Sequence, residues 1–274
     1  MYQQLDWLIP WYVDQQLALN ARQKTLLQTQ VKNSLAWHCQ DQVPLYVQTL
    51  QSWQIFFSKN YARDDFNRLS TETKRHVRVL GERMLNDTKD LLFSLDAKQQ
   101  ARLYAFIGKN NKEYEEKYLG RGVDLNELRL EESREAAQFW FGSLSKEQDK
   151  LLQQRLLSYQ NVESDSAMNR RKWLEQFRHT LESEQILPQL KLQELEILIF
   201  SPENHWTADY KKRFDSNADL MVLLIEQMLA LSSDKQKKHL IQHFKDWESD
   251  FSDIALQCEK IKANESRQQD GVHG

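Results

Sequence analysis

The sequence has few of the residues that break a helix or cross-link a chain. Its 274 residues include only 4 Pro, 7 Gly and 2 Cys. Because Pro and Gly mark turns, so few of them indicate long uninterrupted elements joined by short connections. A chain of this length buries roughly three quarters of the surface that it exposes when unfolded, so its stability requires neither a metal ion nor a disulfide.

Long apolar runs and concentrated positive charge are also missing. The densest apolar stretch, Leu220 to Leu231, is interrupted by Glu226 and Gln227 and falls short of the ~18 residues that a membrane span requires. The chain has 37 Lys+Arg against 40 Asp+Glu, a balance that argues against a general nucleic-acid-binding protein. Short basic patches such as Arg170-Arg171-Lys172 are interpreted as solvated helix faces.

The composition favours an all-α fold. Hydrophobic residues make up 40% of the chain and charged residues 28%, which is typical of long helices with wide solvated faces. No alternating strand pattern bounded by turn residues is found. We predict an elongated multi-helix bundle or a curved layer of antiparallel helical hairpins. Residues 1–262 are expected to form a single helical domain, followed by a disordered tail at 263–274, where the apolar period is lost.

A recurrent pentad predicts where several helices begin. It consists of Leu, a small polar residue, two variable positions and usually Gln. The polar side chain caps the first turn, and the Gln side chain reaches back to the N-cap amide, which together make a capping box. The copies begin at Leu19-Asn20, Leu95-Asp96 and Leu144-Ser145, with degenerate copies at Leu69-Ser70 and Leu231-Ser232.

The last helix carries a heptad pattern that requires a neighbouring helix. Its apolar residues are spaced alternately by 4 and 3 positions, which is the spacing of a helix–helix seam. We predict that this seam packs on Leu220 to Leu231, interpreted as a central buried helix. The seam consists of Leu240, Phe244, Trp247, Phe251, Ile254, Cys258 and Ile261.

Motifs for chemistry are sparse. His239, His243 and Asp246 have a spacing that can bind a metal on one helix face, but a solvated face is the preferred interpretation. Cys39 and Cys258 lie outside any C-x-x-C motif. They are either small core residues or the two halves of a disulfide in an oxidising compartment. Serine-nucleophile motifs, Gly-rich phosphate loops and dinucleotide fingerprints are missing. We therefore predict no enzyme activity, no metal and no cofactor.

Aromatic residues are the main functional signal. The chain has 8 Trp, 9 Tyr and 12 Phe, and their helical spacing places most of them in the core. Those left exposed would form an amphipathic groove for apolar or unfolded segments. Two candidate asparagines could equally be helix caps or turn residues. The candidate partner-binding residues are Trp37, His38, Asn111, Tyr114, Trp173, Trp206, Tyr210 and Asn217.

Several blocks of the sequence carry a resemblance that covers nearly the whole chain. They are Leu5-Asp6-Trp7-Leu8-Ile9-Pro10-Trp11-Tyr12-Val13, Leu35-Ala36-Trp37-His38, Asn111-Lys112-Glu113-Tyr114, Leu144-Ser145-Lys146-Glu147-Gln148, Arg170-Arg171-Lys172-Trp173 and Leu231 to Trp247. In these blocks the chain resembles a domain-of-unknown-function family of proteobacterial lipoproteins. The resemblance implies a signal peptide and a lipidated cysteine upstream, with the helical body in the periplasm, anchored to the outer membrane. It implies no established activity.

The pentads also resemble the Leu-Thr-x-x-Gln signature of small periplasmic helical chaperones of the Spy and CpxP type. In this chain Asn20, Asp96 and Ser145 stand where that signature has Thr.

The leading functional hypothesis is a non-enzymatic periplasmic lipoprotein that binds polypeptide or apolar segments in the cell envelope. It would act as a chaperone-like or assembly factor, with membrane contact only through its lipid anchor. The alternative is a dedicated adaptor or immunity-like inhibitor that binds one folded envelope or secreted partner. A third hypothesis is a small-ligand carrier with a pocket between helices.

Overall fold

The computed structural model describes residues 2–59 and 63–270. Every regular element in these ranges is a helix, so the predicted all-α fold is confirmed. No helix within them combines the length and the apolar character needed to cross a membrane. Short 3₁₀ turns lie at Tyr2–Gln4 and Pro202–His205, and a π-helical turn lies at His38–Gln42.

The α-helices follow one another with short connections. Helix α11 includes residues 263–270 of the expected tail, while residues 271–274 lie outside the described residues. The tail boundary at residue 262 therefore stays a prediction. The helices are α1 (Leu5–Leu17), α2 (Ala21–Trp37), α3 (Val43–Ser58), α4 (Arg63–Phe93), α5 (Ala97–Leu119), α6 (Leu125–Phe141), α7 (Lys146–Leu156), α8 (Glu163–Glu182), α9 (Pro188–Phe200), α10 (Ala208–Ala230) and α11 (Asp234–Asp270).

The chain divides into two compact units. The first unit comprises Met1–Gln15, Leu19–Leu91 and Lys237–Gly274, and the second comprises Gln16–Ala18 and Leu92–Gln236. Each unit has fully buried aliphatic residues of its own. In the first unit these include Val43 and Leu69, and in the second Leu152 and Leu195. The single domain expected over residues 1–262 stays a prediction.

Capping boxes start the helices where the pentads predicted. Both reciprocal hydrogen bonds are present at Asn20, Asp96 and Ser145, the N-caps of α2, α5 and α7. At the start of α11 the cap is the second serine of the degenerate copy. The amide of Gln236 donates to Ser233 Oγ at 3.3 Å, and the amide of Ser233 donates to Gln236 Oε1 at 3.0 Å. These caps satisfy backbone amides that the first turn leaves unpaired.

The degenerate copy at Leu69 does not begin a helix, so that prediction was wrong. Leu69 is buried in the interior of α4. The hydroxyl of Thr73 donates to the carbonyl oxygen of Leu69 at 2.9 Å, which is the bond that a threonine makes inside a continuing helix. The copy also lacks the Gln that closes a capping box, because Thr73 occupies that position.

Two of the capping glutamines also bond to each other in the core of the second unit. Gln148 is fully buried, and Gln236 is 8% exposed. Gln236 Nε2 donates to Gln148 Oε1 at 2.8 Å, while Gln148 Nε2 donates to Gln236 Oε1 at 3.4 Å. Each amide oxygen thus caps its own helix and accepts from the other glutamine.

The heptad seam of α11 packs on α3 within the first unit. The ring of Phe244 lies 6.0 Å from Trp53 and 5.3 Å from Phe57, and Phe251 lies 5.4 Å from Tyr46. The prediction of a seam is confirmed, and the neighbour that these rings contact is α3. The predicted neighbour, Leu220 to Leu231, comprises the end of α10 and its C-cap and belongs to the second unit. Packing of the seam on that segment stays a prediction.

Cys39 and Cys258 form a disulfide, which decides between the two interpretations of these residues. Their Cα atoms lie 5.8 Å apart, within the range that a disulfide requires. The bond joins the π-helical turn after α2 to the far part of α11 inside the first unit. Both cysteines are buried.

Candidate functional site

The second unit contains a cleft of about 470 Å³. Helix α5 packs along α8 to form its floor, and the turn Pro202–His205 with the first turns of α10 closes one side. Thr207 starts α10 by accepting a hydrogen bond at Oγ1 from the amide of Tyr210 at 3.2 Å. This cap fixes where the aromatic residues of α10 point. A cleft of this size accommodates a short segment or a small ligand rather than a folded surface.

Aromatic rings form the apolar wall of the cleft. The ring of Trp206 lies 4.7 Å from Tyr210 and 4.8 Å from Phe214, at tilted angles that favour ring–ring contact. On the facing side, Trp173 donates its indole N–H to the carbonyl oxygen of Leu198 at 2.8 Å, which holds the ring in place. The rings are thus positioned in advance of any ligand.

Polar groups lie between the rings. Asn111 is buried and donates from Nδ2 to the carbonyl oxygen of Arg170 at 3.3 Å, which links α5 to α8. The hydroxyls of Tyr210 and Ser166 share a hydrogen bond of 2.9 Å. Burial raises the pKa of Tyr114 further above its ordinary value of 10.0, and the protonated phenol can donate a hydrogen bond at neutral pH.

A smaller cleft of about 240 Å³ adjoins the first one. The two clefts share Tyr114, Ser166 and Phe214 in their walls. The smaller cleft contains an ion pair of 2.6 Å between Arg129 and Glu163, both of which are about nine-tenths buried. Both charges of that pair are compensated, and Glu132, the other charged residue of the lining, pairs with Lys117 at 2.6 Å.

Five of the eight residues predicted from the sequence line the larger cleft. They come from three separate regions of the chain, and the packing of α5, α8 and α10 brings them together. The five are Asn111, Tyr114, Trp173, Trp206 and Tyr210.

Asn217 holds the backbone of a connection. It is 4% exposed, its Oδ1 accepts from the amide of Gln160, and its Nδ2 donates to the carbonyl oxygen of the same residue, both at 2.9 Å. Both functional groups of this side chain are therefore engaged with the loop before α8. These contacts explain Asn217 as a turn residue, which is one of the structural roles expected for it. Its role in partner binding stays a prediction.

Trp37 and His38 belong to the first unit and are not among the residues that line the cleft. The guanidinium of Arg83 lies 5.3 Å from the centre of the Trp37 ring. His38 Nδ1 shares a hydrogen bond of 2.9 Å with the hydroxyl of Tyr2, and its ring lies 5.4 Å from Tyr46. These contacts account for both residues as packing, and their partner-binding role stays a prediction.

His239 and His243 lie one turn apart on α11, with their Nε2 atoms 3.2 Å apart. Among the side chains that the structure describes, no three of His, Cys, Asp or Glu come together as a metal site.

Among the cleft residues that the sequence analysis missed, three lie together on α8. Arg170 and Lys172 belong to a basic triplet interpreted as a solvated face, and Asn169 precedes that triplet. The guanidinium of Arg170 lies 4.4 Å from the centre of the Tyr114 ring. The one available signal was the Trp173 that directly follows the triplet, since an aromatic residue beside cations is typical of a binding surface.

Two histidines of the first unit, the partly buried His38 and the buried His76, make that unit sensitive to acid. Burial is the main cause that lowers the pKa of both His38 and His76 from the ordinary 6.5, and Arg75 lowers that of His76 further while Glu72 opposes it. The unfolded chain therefore takes up protons first. The stabilisation of the folded unit by its neutral histidines is therefore complete above about pH 6.5 and is lost as the pH falls towards the pKa values of the folded state.

We expect the urea concentration at the unfolding midpoint of the first unit to decrease as the pH is lowered from 7.5 to 5. Replacing His76, whose Nε2 shares a hydrogen bond of 2.8 Å with Thr49, by Gln should flatten this dependence. The measurement is a set of urea titrations at several pH values. A wild-type midpoint that is constant or rises on acidification would contradict the expectation.

Comparison with known proteins gives a family. Residues 12–211 match a family of unknown function, DUF6279, and the chain belongs to that family. The matched range includes every residue that lines the cleft except Phe214. No curated protein and no solved structure matches the chain.

Proposed function

We propose that the protein is a non-enzymatic binding protein that holds a short polypeptide segment in the aromatic cleft of its second unit. The observation that carries this proposal is the convergence of Tyr114, Trp173, Trp206 and Tyr210 on one cleft. Tyr and Trp give a large, rigid contact area at low entropic cost, which is why binding surfaces are rich in them.

The chemistry of the cleft suits an extended chain. Apolar side chains of a segment can pack on Trp206 and Phe214, while its backbone groups meet side-chain amides such as Asn110 and Gln176 at the edge. Amides both donate and accept, so they can pair with either backbone group. Binding of exposed apolar segments in this way is what a chaperone-like or assembly factor requires.

The proposed location is the periplasm, with a lipid anchor in the outer membrane. The disulfide between Cys39 and Cys258 supports an oxidising compartment, because such bonds are rare in reducing ones. The lipid anchor rests on the resemblance of the sequence blocks described above. Fractionation of cells that produce the full-length precursor, with detection of the acylated N-terminus by mass spectrometry, tests both points.

The test of the function compares two tryptophan variants in an aggregation assay. Light scattering of two unrelated unfolded proteins is followed without ATP, with the full chain added at equimolar ratio. We expect the wild type to delay aggregation and Trp206→Ala to lose at least half of that delay. The matched control is Trp7→Ala, because Trp7 is 57% exposed and lies on α1, outside the cleft. Equal behaviour of the wild type and a blank would contradict the proposal.

A second candidate function is a dedicated adaptor or inhibitor for one folded partner. It is favoured by a group of exposed apolar residues on α1, namely Trp7, Leu8, Trp11 and Tyr12. Exposed aromatic groups of this kind mark protein interaction surfaces. A stable complex would bury about 1,600 Å², and Trp7→Ala with Trp11→Ala would abolish it while Trp206→Ala would not.

A further inference from the structure

We propose that the cleft selects acidic polypeptide segments, with a carboxylate of the ligand bound at Arg170, Lys172 adding positive charge to the same cleft, and an adjacent apolar side chain packed on Trp206. This selectivity deepens the proposed function and presupposes it. It concerns the class of segment that is bound, whereas the proposed function concerns only where segments bind.

The charge of the cleft is the first observation. The charged residues that line it, Arg170 and Lys172, are both basic. Neither forms an ion pair with any residue that the structure describes. Their neighbour Arg171, by contrast, pairs with Glu115 at 3.1 Å. Two uncompensated cations beside apolar rings attract a negative charge, and the low polarity of the rings strengthens that attraction.

The position of Arg170 is the second observation. Its guanidinium stacks over the ring of Tyr114 at 4.4 Å. This cation–π contact restrains a side chain that is otherwise free to rotate, while the N–H groups at its edge stay available. A planar guanidinium held in this way matches the two oxygens of a carboxylate better than a free surface arginine does.

An unpartnered donor is the third observation. Nδ2 of Asn169 is shielded from solvent and lacks a hydrogen-bond partner among the described residues. Asn169 lies on α8 directly before Arg170 and lines the cleft. Buried donors in native proteins are nearly always paired, so an unpaired one at a cleft indicates an acceptor on the ligand. A carboxylate or a peptide carbonyl supplies such an acceptor.

Size and shape favour a peptide acid over a small anion. A cleft of about 470 Å³ is far larger than a single phosphate or acetate requires, and Trp206 and Phe214 give it an apolar wall. A segment with an acidic residue next to a large apolar one can contact the two cations, the unpaired Nδ2 of Asn169 and the aromatic rings at the same time. Anionic lipids and free phosphate share the charge of this ligand, and they are the alternatives that the experiment separates.

The experiment measures binding of three labelled peptides to the full chain by fluorescence anisotropy. The peptides share one apolar core and differ only at two positions, which hold Glu, Gln or Lys. We expect the Glu peptide to bind at least tenfold more tightly than the Gln peptide, since two charge-assisted hydrogen bonds are gained. Its affinity should weaken with added salt, whereas that of the Gln peptide should not.

Charge variants of the protein locate the effect. Arg170→Gln with Lys172→Gln should reduce the tenfold preference for the Glu peptide over the Gln peptide to about equal affinity. Both side chains are exposed, so the variant is expected to fold. The control, Lys98→Gln with Lys212→Gln, removes the same charge from exposed sites of the second unit outside the cleft and should change neither peptide.

The possible failures are distinguishable. Equal affinity for all three peptides, lost in Trp206→Ala, would overturn the acidic selectivity and leave the proposed function intact. Binding of vesicles with anionic headgroups or of inorganic phosphate, with no binding of any peptide, would overturn both.

Discussion

Removal of the disulfide between Cys39 and Cys258 is expected to lower the free energy of unfolding of the first unit by about 3–5 kcal/mol. The bond closes a loop with a sequence separation of 219 residues. Cross-links over long loops restrict the unfolded chain most, and this value is near the upper end of what such bonds contribute. Both sulfurs are buried, so Ala is the replacement that leaves the fewest new polar groups.

The measurement is urea unfolding of the wild type and of the variant Cys39→Ala with Cys258→Ala, each with and without a reductant. The wild-type midpoint should fall in the reductant, and the double variant should already show the lower value. Because the double variant has no cysteine left, the reductant should not change its midpoint. Two titratable thiols in the untreated wild type, with no shift on reduction, would contradict the bond and with it the support for an oxidising compartment.

Replacement of Gln148 by Ala is expected to destabilise the second unit by about 2–4 kcal/mol. Gln148 is fully buried, and its Oε1 accepts from the amide of Ser145 at 3.0 Å and from Gln236 Nε2 at 2.8 Å. Its removal leaves buried groups unpaired, at about 1–3 kcal/mol, and takes away one half of a helix cap, at about 1 kcal/mol.

Urea unfolding of four proteins checks this value: the wild type, Gln148→Ala, Gln236→Ala and the double variant. The two glutamines share their hydrogen bonds, so we expect an interaction energy of about 1–2 kcal/mol instead of additivity. Gln153→Ala on the same helix α7 is the control. Gln153 is exposed and donates to Asp149, so its loss should change stability by less than about 0.5 kcal/mol. Full additivity would show that the pair does not act as a unit.

The fold class and four of the eleven α-helix starts in the described residues followed from the sequence, the latter because capping is local chemistry. Asn20, Asp96 and Ser145 each find their partner three residues further along the chain, so a short stretch contains all the information. The copy at Leu69 lacks the Gln and continues as helix. The neighbour of the α11 seam could not be predicted in this way. Helix α3 and the segment Leu220 to Leu231 are both apolar, and the seam specifies only that a neighbour exists.

The site could be predicted in part for a related reason. Aromatic residues such as Trp206 can be identified as candidates from the sequence alone, because a large apolar ring is unfavourable in water and belongs either in a core or at a binding surface. Their arrangement around one cleft could not be identified in this way. Arg170 could not be separated from Arg171 by pattern, since successive helical residues point in different directions and the triplet fixes no register. Only the packing of α5 against α8 shows that Arg170 stacks on Tyr114, while Arg171 pairs with Glu115.

The central proposal is that a polypeptide segment binds in the cleft of the second unit, and mapping where it binds tests this most directly. The measurement is photo-crosslinking of the Glu peptide, carrying a benzophenone next to its acidic residues, to the wild-type chain, followed by mass spectrometry of the linked residues. We expect linkage within residues 107–114, 166–176 and 202–214, abolished in Trp206→Ala. Linkage on α1, or spread over the exposed surface without preference, would contradict a binding site in the cleft.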